Sequence, residues 1–468
     1  MDAAGTVLRG DLLVRDGLIA ATGPAVPAAL AGATPDAEFD AAGAFVIPGF
    51  VHGHLHLCQT LFRGLAEQSD LLRWLRERIW PLEAAHTASS VAASARLGLA
   101  ELIAGGVTCI NDMGTVRHSE AIGEVLEASG IRGVFGKALM DQGEGVPAAL
   151  IESPRASIDE ALALAKRFHG GAAGRLLVSL APRFILSCSD GLWREVEEKA
   201  ATLGLLVHTH MAESPGEAHE VRAAVATTAA RYFSMRGLLG PRFVGAHGVW
   251  LDPEELGLLK AADAALVHCP GSNLKLGSGL ADVRAWRRAG IRCGLGSDGA
   301  ACNNRLDSFH EMSLAALVSR ARGTGSPAGS PSGPATGAGS PAGSATGAAG
   351  VTRADAPLTA RDVVALATCD GARALGLGDV AGSLEAGKQA DIAVVDASAP
   401  HHGPAPERDV YTTLVHAARA ADVRLAMVQG RVLYRDGAWT TLDPRSVQAD
   451  ARAELAGLLK RASMVEVA

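Results

Sequence analysis

Residues 48–64, "PGFVHGHLHLCQTLFRG", place three histidines within five positions of a short apolar run: His52, His54 and His56. Side chains two residues apart on a β-strand point to the same face, so these three imidazoles would project together. Clustered imidazoles are typical of a metal site. The stretch therefore predicts a buried strand that begins such a site, and the remaining ligands must come from elsewhere in the fold.

Short apolar runs alternate with longer segments of helical spacing through the middle of the chain. The runs lie at residues 44–57, 106–113, 132–139, 175–184, 204–213, 243–251, 264–270 and 292–299. Eight strands that alternate with helices, such as the one expected over 89–106, predict an α/β fold with a parallel (β/α)8 barrel. An open doubly wound sheet is the alternative, but no GxGxxG follows the first strand, so a dinucleotide-binding version lacks support.

The two ends of the chain differ from its middle. Residues 7–23, 382–397 and 423–439 predict short antiparallel strands joined by Gly and Asp turns. We therefore predict one small β-sandwich domain built from both chain ends.

The domain boundaries follow from this pattern. We expect the small domain to comprise residues 1–46 and 376–468, and the barrel to span 47–375. Inside the barrel range, residues at about 322–352 are almost entirely Gly, Ser, Pro, Ala and Thr, which predicts a disordered loop.

Composition limits the class of function. With 468 residues, 48% of them hydrophobic, the chain can bury a large core, and a net charge of −7 offers no basic field for nucleic acid or acidic membranes. Seven cysteines without a CxxC pair argue against a disulfide framework. The sequence has no apolar run typical of a signal peptide or a membrane span. We expect a cytoplasmic protein that acts on a small molecule.

Polar residues recur where the predicted strands end, which in such barrels is the catalytic face. The first strand ends with His54 and His56, and the later strand ends add His210, Glu213, His247 and Asp298. Any one such histidine is more often a satisfied core residue. Several arriving at one barrel end instead predict a site for Zn²⁺ or another borderline metal. The chain lacks HExxH and PCxxC, which excludes zincin proteases and the compact cytidine-deaminase fold.

Six motifs then appear in order along almost the whole chain: "PGFVHGHLHL", "HTHMAE", "AHGVWL", "HCPGSNLKLGSG", "GLGSDGAACNN" and "LEAGKQADIAVVD". They resemble the amidohydrolase superfamily in its aminohydrolase branch, which includes methylthioadenosine/S-adenosylhomocysteine deaminases, guanine deaminases and s-triazine hydrolases. The resemblance implies one divalent metal per subunit, Zn²⁺ with Fe²⁺ or Mn²⁺ as alternatives, and assembly as a dimer or tetramer. The metal ligands it implies are His54, His56, His210 and Asp298.

The resemblance also implies catalytic roles, and the chemistry of the residues agrees with them. A metal lowers the pKa of bound water to about 7, and Glu213 would move the proton of that water to a ring nitrogen. Asp298 would pass a proton to the leaving amine, while His247 would lie close to the water and substrate. The fourth strand ends in "APRF" without a lysine, which favours a single metal. His52 and His208 are candidates to orient ligands, with plain packing as the alternative.

The substrate signals are mixed. Glu83 in "WPLEAAH" stands where deaminases of 5′-modified adenosines carry a carboxylate for the ribose hydroxyls, and Trp74 in "LLRWL" matches their pocket aromatic. The alternative is a helix with Trp74 in the core and Glu83 in solvent. Gln59 and Arg183 instead match a Gln and an Arg that bind the purine edge in guanine deaminases. Lys137 stands where some deaminases have Arg.

We therefore expect a hydrolytic deaminase of a 5′-modified adenosine, such as 5′-deoxyadenosine or methylthioadenosine. Guanine or another oxopurine is the first alternative substrate and an s-triazine the second. A non-catalytic barrel scaffold is the alternative of another class, but such scaffolds typically lose metal ligands, and this chain keeps the full set.

Overall fold

The fold is described from a computed structural model over residues 1–67, 70–323, 356–404 and 409–463. The Gly/Ser/Pro-rich segment predicted to be disordered lies almost wholly outside these ranges. Within them, no helix combines the length and the apolar character that crossing a bilayer requires.

Eight parallel strands form the barrel, and one lies in each run predicted from the sequence. In chain order they are Phe50–Leu55, Val107–Met113, Arg132–Gly136, Leu176–Pro182, Leu206–Met211, Phe243–His247, Ala265–His268 and Arg292–Leu295. Each pairs in parallel with its neighbours in this order, and a two-residue strand, Ala138–Leu139, extends the pairing with the fourth. Where the first and last strands meet, the backbone N–H of Asp298 donates to the carbonyl of His54 at 3.1 Å. The predicted barrel is confirmed.

Helices surround the barrel. The α-helices are Val26–Leu30, Leu71–Trp74, Trp80–Ala84, Ala88–Ala104, Ser119–Ser129, Pro154–Phe168, Gly171–Gly174, Asp190–Leu203, Pro215–Val225, Ala229–Met235, Pro253–Ala261, Pro270–Lys275, Val283–Ala289, Ala300–Asn303, Ser308–Gly323, Ala360–Leu366, Cys369–Ala374, Val410–His416 and Pro444–Arg461. Several start at a Ser-Pro or Asp-Pro pair, as at Ser153, Ser214 and Asp252. The Ser or Asp side chain accepts a free backbone N–H, and the proline has none to satisfy.

The strands are buried on both faces. Every residue of Phe50–Leu55 and of Val107–Met113 is buried, as expected where helices cover a parallel sheet. Phe50, for example, packs edge to face on Phe309 of a surrounding helix, with ring centroids 5.0 Å apart. The rigid barrel that results holds polar side chains at the strand ends.

A small antiparallel domain combines both chain ends, as predicted. Its five-stranded sheet consists, in spatial order, of Ala438–Trp439, Arg431–Arg435, Val423–Val428, Ile392–Asp396 and Ala44–Pro48. Leu12–Arg15 and Leu18–Thr22 form a second sheet, and its Ile19 packs against Ile392 of the first. The hairpin turns Asp16–Gly17, Gln429–Gly430 and Asp436–Gly437 all have positive φ at both residues. This conformation matches the twist of two-residue hairpins and favours Gly and Asp.

The C-terminal helix is a feature that the sequence analysis did not predict. Pro444–Arg461 lies within the range assigned to the small domain, yet it packs on the barrel helix Ala88–Ala104. Val447, Ala451 and Leu458 are its buried residues, and their spacing of four and seven is helical. That periodicity was the available signal for this helix.

Candidate active site

The polar strand-end residues predicted from the sequence meet at the C-terminal end of the barrel. His56 Nε2 lies 3.1 Å from His210 Nε2. Asp298 Oδ1 lies 3.3 Å from Nε2 of both His54 and His56. His247 Nε2 is 3.8 Å from Asp298 Oδ2. The fold therefore gathers five side chains from four strands into one cluster.

The cluster fits a divalent metal. One ligand atom each from His54, His210, His247 and Asp298 lie within 4.8 Å of one another. The Nε2 atoms of His54 and His247 are buried and find no hydrogen-bond partner among the described residues. Such unpartnered polar atoms are costly, and a metal at this point would satisfy the lone pair of His54 Nε2. Imidazole nitrogens with a carboxylate oxygen are the ligands of catalytic zinc sites.

Hydrogen bonds on the far side of the rings orient these histidines. Nδ1 of His56 donates to the carbonyl of Met113, and Nδ1 of His210 to the carbonyl of Arg183, each at 2.7 Å. Nδ1 of His247 lies 2.9 Å from Oδ1 of Asn273. Donation from Nδ1 leaves the Nε2 lone pair facing the cluster. Asn273 belongs to the "HCPGSNLKLGSG" motif, but the sequence analysis gave it no role.

Burial keeps three imidazoles of the cluster neutral, those of His54, His56 and His210. Desolvation lowers the pKa of His56 to about 3 and holds the pKa of His210 well below its ordinary value. It also lowers the pKa of His54. Neutral imidazole is the form that binds metal, so this environment suits the cluster to that task at neutral pH.

Asp298 is held in place by three donors. Ser272 Oγ and Cys302 Sγ contact Oδ2 at 2.7 and 3.1 Å, and the Gly299 N–H donates to Oδ1 at 2.8 Å. The sequence analysis did not single out Ser272 or Cys302. Their contacts fix the carboxylate so that Oδ1 faces His54 and His56.

Glu213 lies beside the cluster in a buried position. Its Oε2 is 3.6 Å from His247 Nε2, and its Oε1 accepts from Ser278 Oγ at 3.3 Å. Burial raises the pKa of Glu213 to about 7. A carboxyl group with such a pKa exchanges protons readily at neutral pH, which suits the proton-transfer role predicted for it.

A helix cap fixes the backbone of Glu213. Ser214 caps the helix Pro215–Val225 by accepting the N–H of Glu217 at 3.1 Å. The Glu217 side chain returns to accept the N–H of Glu213 at 2.6 Å. The arrangement resembles a capping box, except that the Glu217 side chain accepts the N–H of the residue before the N-cap and not that of the N-cap itself. The sequence analysis missed Glu217, although Ser and Glu three residues apart directly after "HTHMAE" were the available signal.

A cavity that encloses about 410 Å³, part of it open to solvent, lies beside the cluster. Its lining comprises His56, Gln59, Leu71, Trp74, Leu75, Arg183, Phe184, His210, Glu213, Glu217 and Asp298. Trp74 lines the cavity as predicted, and its Nε1 donates to the carbonyl of Ala66 at 3.0 Å. Leu75 begins a π-helix, Leu75–Ile79, a rare form that occurs at functional sites. The cavity therefore joins an apolar wall to a polar floor.

Comparison with known proteins agrees with this geometry. The sequence model of the amidohydrolase family matches residues 45–332 and 342–433. The chain belongs to the amidohydrolase family. A 5′-deoxyadenosine deaminase of Methanothermobacter thermautotrophicus is 34% identical over 97% of this chain and 96% of its own length. A 5-methylthioadenosine/S-adenosylhomocysteine deaminase of Haloarcula marismortui is 34% identical over 98% and 96%.

A solved structure extends the comparison to the fold. The structure of an adenosine deaminase from Xanthomonas campestris with bound zinc superposes with a TM-score of 0.83. The two chains are 28% identical, and the match covers 96% of this chain and 93% of that one. Amidohydrolases are metal-dependent, and the cluster of histidines and Asp298 lies where this amidohydrolase would hold its metal.

A buried ion pair occupies the polar floor of this amidohydrolase. Arg183 Nη1 donates to Glu83 Oε2 at 2.5 Å and Nη2 to Oε1 at 3.2 Å, while Gln59 Nε2 donates to Oε1 at 2.9 Å. All three residues are at most 3% exposed. Arg183 and Gln59 line the cavity, whereas Glu83 lies behind them. The alternative of a solvent-exposed Glu83 is therefore wrong.

This ion pair also determines which polar groups of the cavity can contact a ligand. Both oxygens of Glu83 are engaged, so the carboxylate predicted to face ribose hydroxyls instead holds Arg183. Gln59 Oε1 is buried and finds no partner among the described residues. Gln59 and Arg183 therefore remain as the polar lining here, and the carboxylate that orients them is 100 residues away from Arg183 in sequence. Such a pairing leaves no local sequence signal.

Lys137 is not part of this cavity. Its fully buried Nζ lies 2.8 Å from Glu152 and 3.1 Å from Glu160 and also contacts the carbonyl of Val116. The predicted substrate-binding role is therefore corrected to a structural one: two carboxylates and a carbonyl take up the amine.

His208 and His52 make different contacts. His54 Nδ1 lies 2.9 Å from His208 Nε2, so the predicted orienting contact of His208 is present. His52 Nε2 accepts the N–H of Ser297 at 2.9 Å, and its Nδ1 lies 3.2 Å from Ser308 Oγ. His52 thus ties the first strand to the segment before Asp298 rather than contacting a cluster member.

We expect His208→Ala to weaken metal binding by about 10–100-fold, the effect typical of removing a partner of a metal-bound histidine. Nδ1 of His54 would lose its acceptor and its ring would lose its orientation. Chelator competition measures the dissociation constant. His268→Gln is a matched control, because His268 is equally buried at a strand end but has no hydrogen bond to the cluster among described residues. An unchanged constant in His208→Ala would contradict the orienting role.

The buried carboxyl group of Asp112 should make the stability of the fold depend on pH. Burial raises the pKa of Asp112 to about 7, against about 3.9 in an unfolded chain. The folded protein therefore holds an extra proton between these values, and the stability this provides is present below about pH 4 and lost as the pH rises through 7. Oδ1 of Asp112 accepts the Leu57 N–H at 2.7 Å, a bond that Asn retains.

We expect the unfolding temperature of Asp112→Asn to rise relative to that of the wild type as the pH rises from 5 to 8. One pKa unit corresponds to about 1.4 kcal/mol, so the relative gain should reach a few kcal/mol. Thermal unfolding of both proteins at equal metal content checks this. Parallel pH profiles for the two proteins would show that Asp112 is ionised in the folded state throughout.

Proposed function

We propose that this amidohydrolase is a metal-dependent hydrolytic deaminase that releases ammonia from a 5′-modified adenosine, with 5′-deoxyadenosine or methylthioadenosine as substrate. The observation that carries the reaction type is the buried Glu213 carboxyl beside the histidine and aspartate cluster, 3.6 Å from His247 Nε2. The substrate class rests on the relatives, since proteins named for 5′-deoxyadenosine and methylthioadenosine match over nearly the whole chain. Zinc is the metal we propose, supported by the zinc in the Xanthomonas structure.

The residues divide the reaction between them. His54, His56, His210 and Asp298 would hold the metal, which would lower the pKa of a water molecule to about 7. Glu213 accepts the proton of that water at Oε2 and delivers it to a ring nitrogen of the purine, because its pKa of about 7 allows both steps. His247, whose Nδ1 is fixed by Asn273, directs Nε2 toward the substrate.

Asp298 and the cavity wall complete the proposal. After the water oxygen has bonded to the amino-bearing carbon, Asp298 takes the remaining hydroxyl proton and passes it to the amine, which leaves as ammonia when the C–N bond breaks. The oxygens of Asp298 are kept in place by Ser272 and Gly299. The apolar wall of Leu71, Trp74 and Phe184 covers the purine and excludes bulk water.

A specific observation favours a second candidate, the deamination of an oxopurine such as guanine. Arg183 and Gln59 line the cavity, while Glu83 is engaged behind them. A guanidinium and an amide side chain can complement a purine edge that carries an oxo group and ring N–H. The same two groups would instead meet the sugar or the ring nitrogens of an adenosine.

The deciding experiment compares ammonia release by zinc-loaded protein from 5′-deoxyadenosine, methylthioadenosine, guanine and an amino-substituted s-triazine at equal concentration. A higher kcat/KM for the nucleosides supports the proposal, and preference for guanine supports the oxopurine candidate. Activity on s-triazines alone contradicts both. Metal-loaded protein that releases no ammonia from any of these would contradict a catalytic role and favour the scaffold alternative. The homo-oligomer and the cytoplasmic location expected from the sequence stay predictions.

A further inference from the structure

A second group of potential metal ligands lies in the small domain. His401 and His402 end the short 3-10 turn Pro400–His402, which follows the strand Ile392–Asp396. Asp422 ends another such turn directly before Val423–Val428. The two strands are antiparallel neighbours, and Val395 pairs with Val423. The pairing therefore brings the ends of both turns to one corner of the sheet.

The three side chains converge on a single carboxylate oxygen. Asp422 Oδ2 lies 2.9 Å from Nε2 of His401 and 3.3 Å from Nε2 of His402. One ligand atom from each residue lies within 4.8 Å of the others. The catalytic cluster shows the same spacing, with separations of 3.1 Å between His56 and His210 and 3.3 Å between His54 and Asp298. In both places the atoms are as close as ligands of one metal.

The surroundings suit a metal better than two ion pairs. The ring centroids of His401 and His402 are only 4.1 Å apart, so two imidazolium charges would repel each other. Asp422 Oδ2 also accepts the N–H of Arg419 at 2.8 Å, which holds the carboxylate in place. The His402 side chain is fully buried, while that of His401 is 27% exposed. The site is thus enclosed by protein on the side of His402 and open to water on the side of His401.

We propose that His401, His402 and Asp422 bind a second divalent transition metal, of the zinc, cobalt and nickel class. Two imidazoles with one carboxylate are borderline ligands that favour these ions over Ca²⁺ or Mg²⁺, which take oxygen ligands. Water fills the remaining coordination positions from the open side. The metal links the end of Ile392–Asp396 to the start of Val423–Val428 and so stabilises the small domain.

This site is separate from the catalytic cluster. A Cβ at Gly105, which ends the helix before the second barrel strand, would lie 3.6 Å from Ala420 Cβ of the turn that carries Asp422. The turn therefore packs near the start of a barrel strand, whereas catalytic groups lie where the strands end. The proposal is accordingly independent of the proposed function.

Metal counting tests the proposal. Wild type, His401→Ala and Asp422→Asn are dialysed to equilibrium against micromolar Zn²⁺, and zinc per chain is measured together with ammonia release. Asn keeps an oxygen that can accept the Arg419 N–H, so the turn is preserved. We expect both variants to bind one zinc ion fewer per chain than the wild type, with ammonia release unchanged.

A matched control separates this site from incidental histidine binding. His416→Ala removes an exposed histidine of the nearby helix Val410–His416 and should bind as much zinc as the wild type. Zinc should also raise the unfolding temperature of the wild type more than that of His401→Ala. The proposal is overturned if His401→Ala keeps the full zinc content, or if His416→Ala loses as much zinc as His401→Ala. A protein without deaminase activity leaves this zinc count unaffected.

Discussion

Glu213→Gln is expected to lower kcat by about 10²–10⁴-fold, the contribution usual for a positioned acid–base group. Gln keeps the size of the side chain and can still accept from Ser278 through Oε1, but it cannot take up or release a proton. KM should change little, because Gln keeps the shape that Glu213 gives to the cavity lining. Steady-state ammonia release with the preferred substrate measures both constants.

Two controls sharpen this prediction. Metal content of Glu213→Gln should equal that of the wild type, since Glu213 is outside the proposed ligand set. Ser278→Ala removes only the hydrogen bond to Glu213 Oε1 and should cost far less activity. A rate of Glu213→Gln close to that of the wild type would remove Glu213 from proton transfer.

Glu83→Gln is expected to destabilise the fold by about 3–5 kcal/mol, the usual cost of leaving one partner of a buried ion pair without its counter-charge. Arg183 is 3% exposed, so water replaces little of the lost carboxylate contact. Chemical denaturation measures the loss. KM should also rise, because Arg183 and Gln59 lose the group that orients them in the cavity.

The double variant Glu83→Gln/Arg183→Gln is the matched test. It removes both charges. The free energy of unfolding that it loses should be smaller than the sum of the losses of the two single variants, and the difference is the coupling energy. Additive losses would mean that the two side chains act independently. The surface pair Arg155–Asp159 offers a control, since its exposed groups should couple by less than about 1 kcal/mol.

The fold was predictable because its signals are local and repeated. Each barrel strand is a short apolar run, and turns such as Asp16–Gly17 indicate the antiparallel strands of the small domain. The C-terminal helix was missed although Val447, Ala451 and Leu458 carry a helical period. The strand signals just before this helix are stronger and favour a sheet for the whole C-terminal range.

The site was predictable to the extent that the chemistry lies at strand ends. His54, His210 and Asp298 meet as expected, because a barrel brings all its strand ends to one face. What the sequence did not reveal are pairings across the fold. Glu83 with Arg183, and Lys137 with Glu152, depend on which side chains face each other in three dimensions. Ligand and catalytic roles stay predictions until metal content and turnover are measured.

The hydrogen bond from Asp298 N–H to the His54 carbonyl has a consequence for biosynthesis. It lies at the seam where the last strand meets the first, and both residues are proposed ligands. A nascent chain of which only the first seven strands have left the ribosome has neither this seam nor the Asp298 carboxylate. Metal binding at the proposed site would therefore report that the barrel has closed, and a ribosome-bound chain truncated before Asp298 is expected to bind the metal much more weakly.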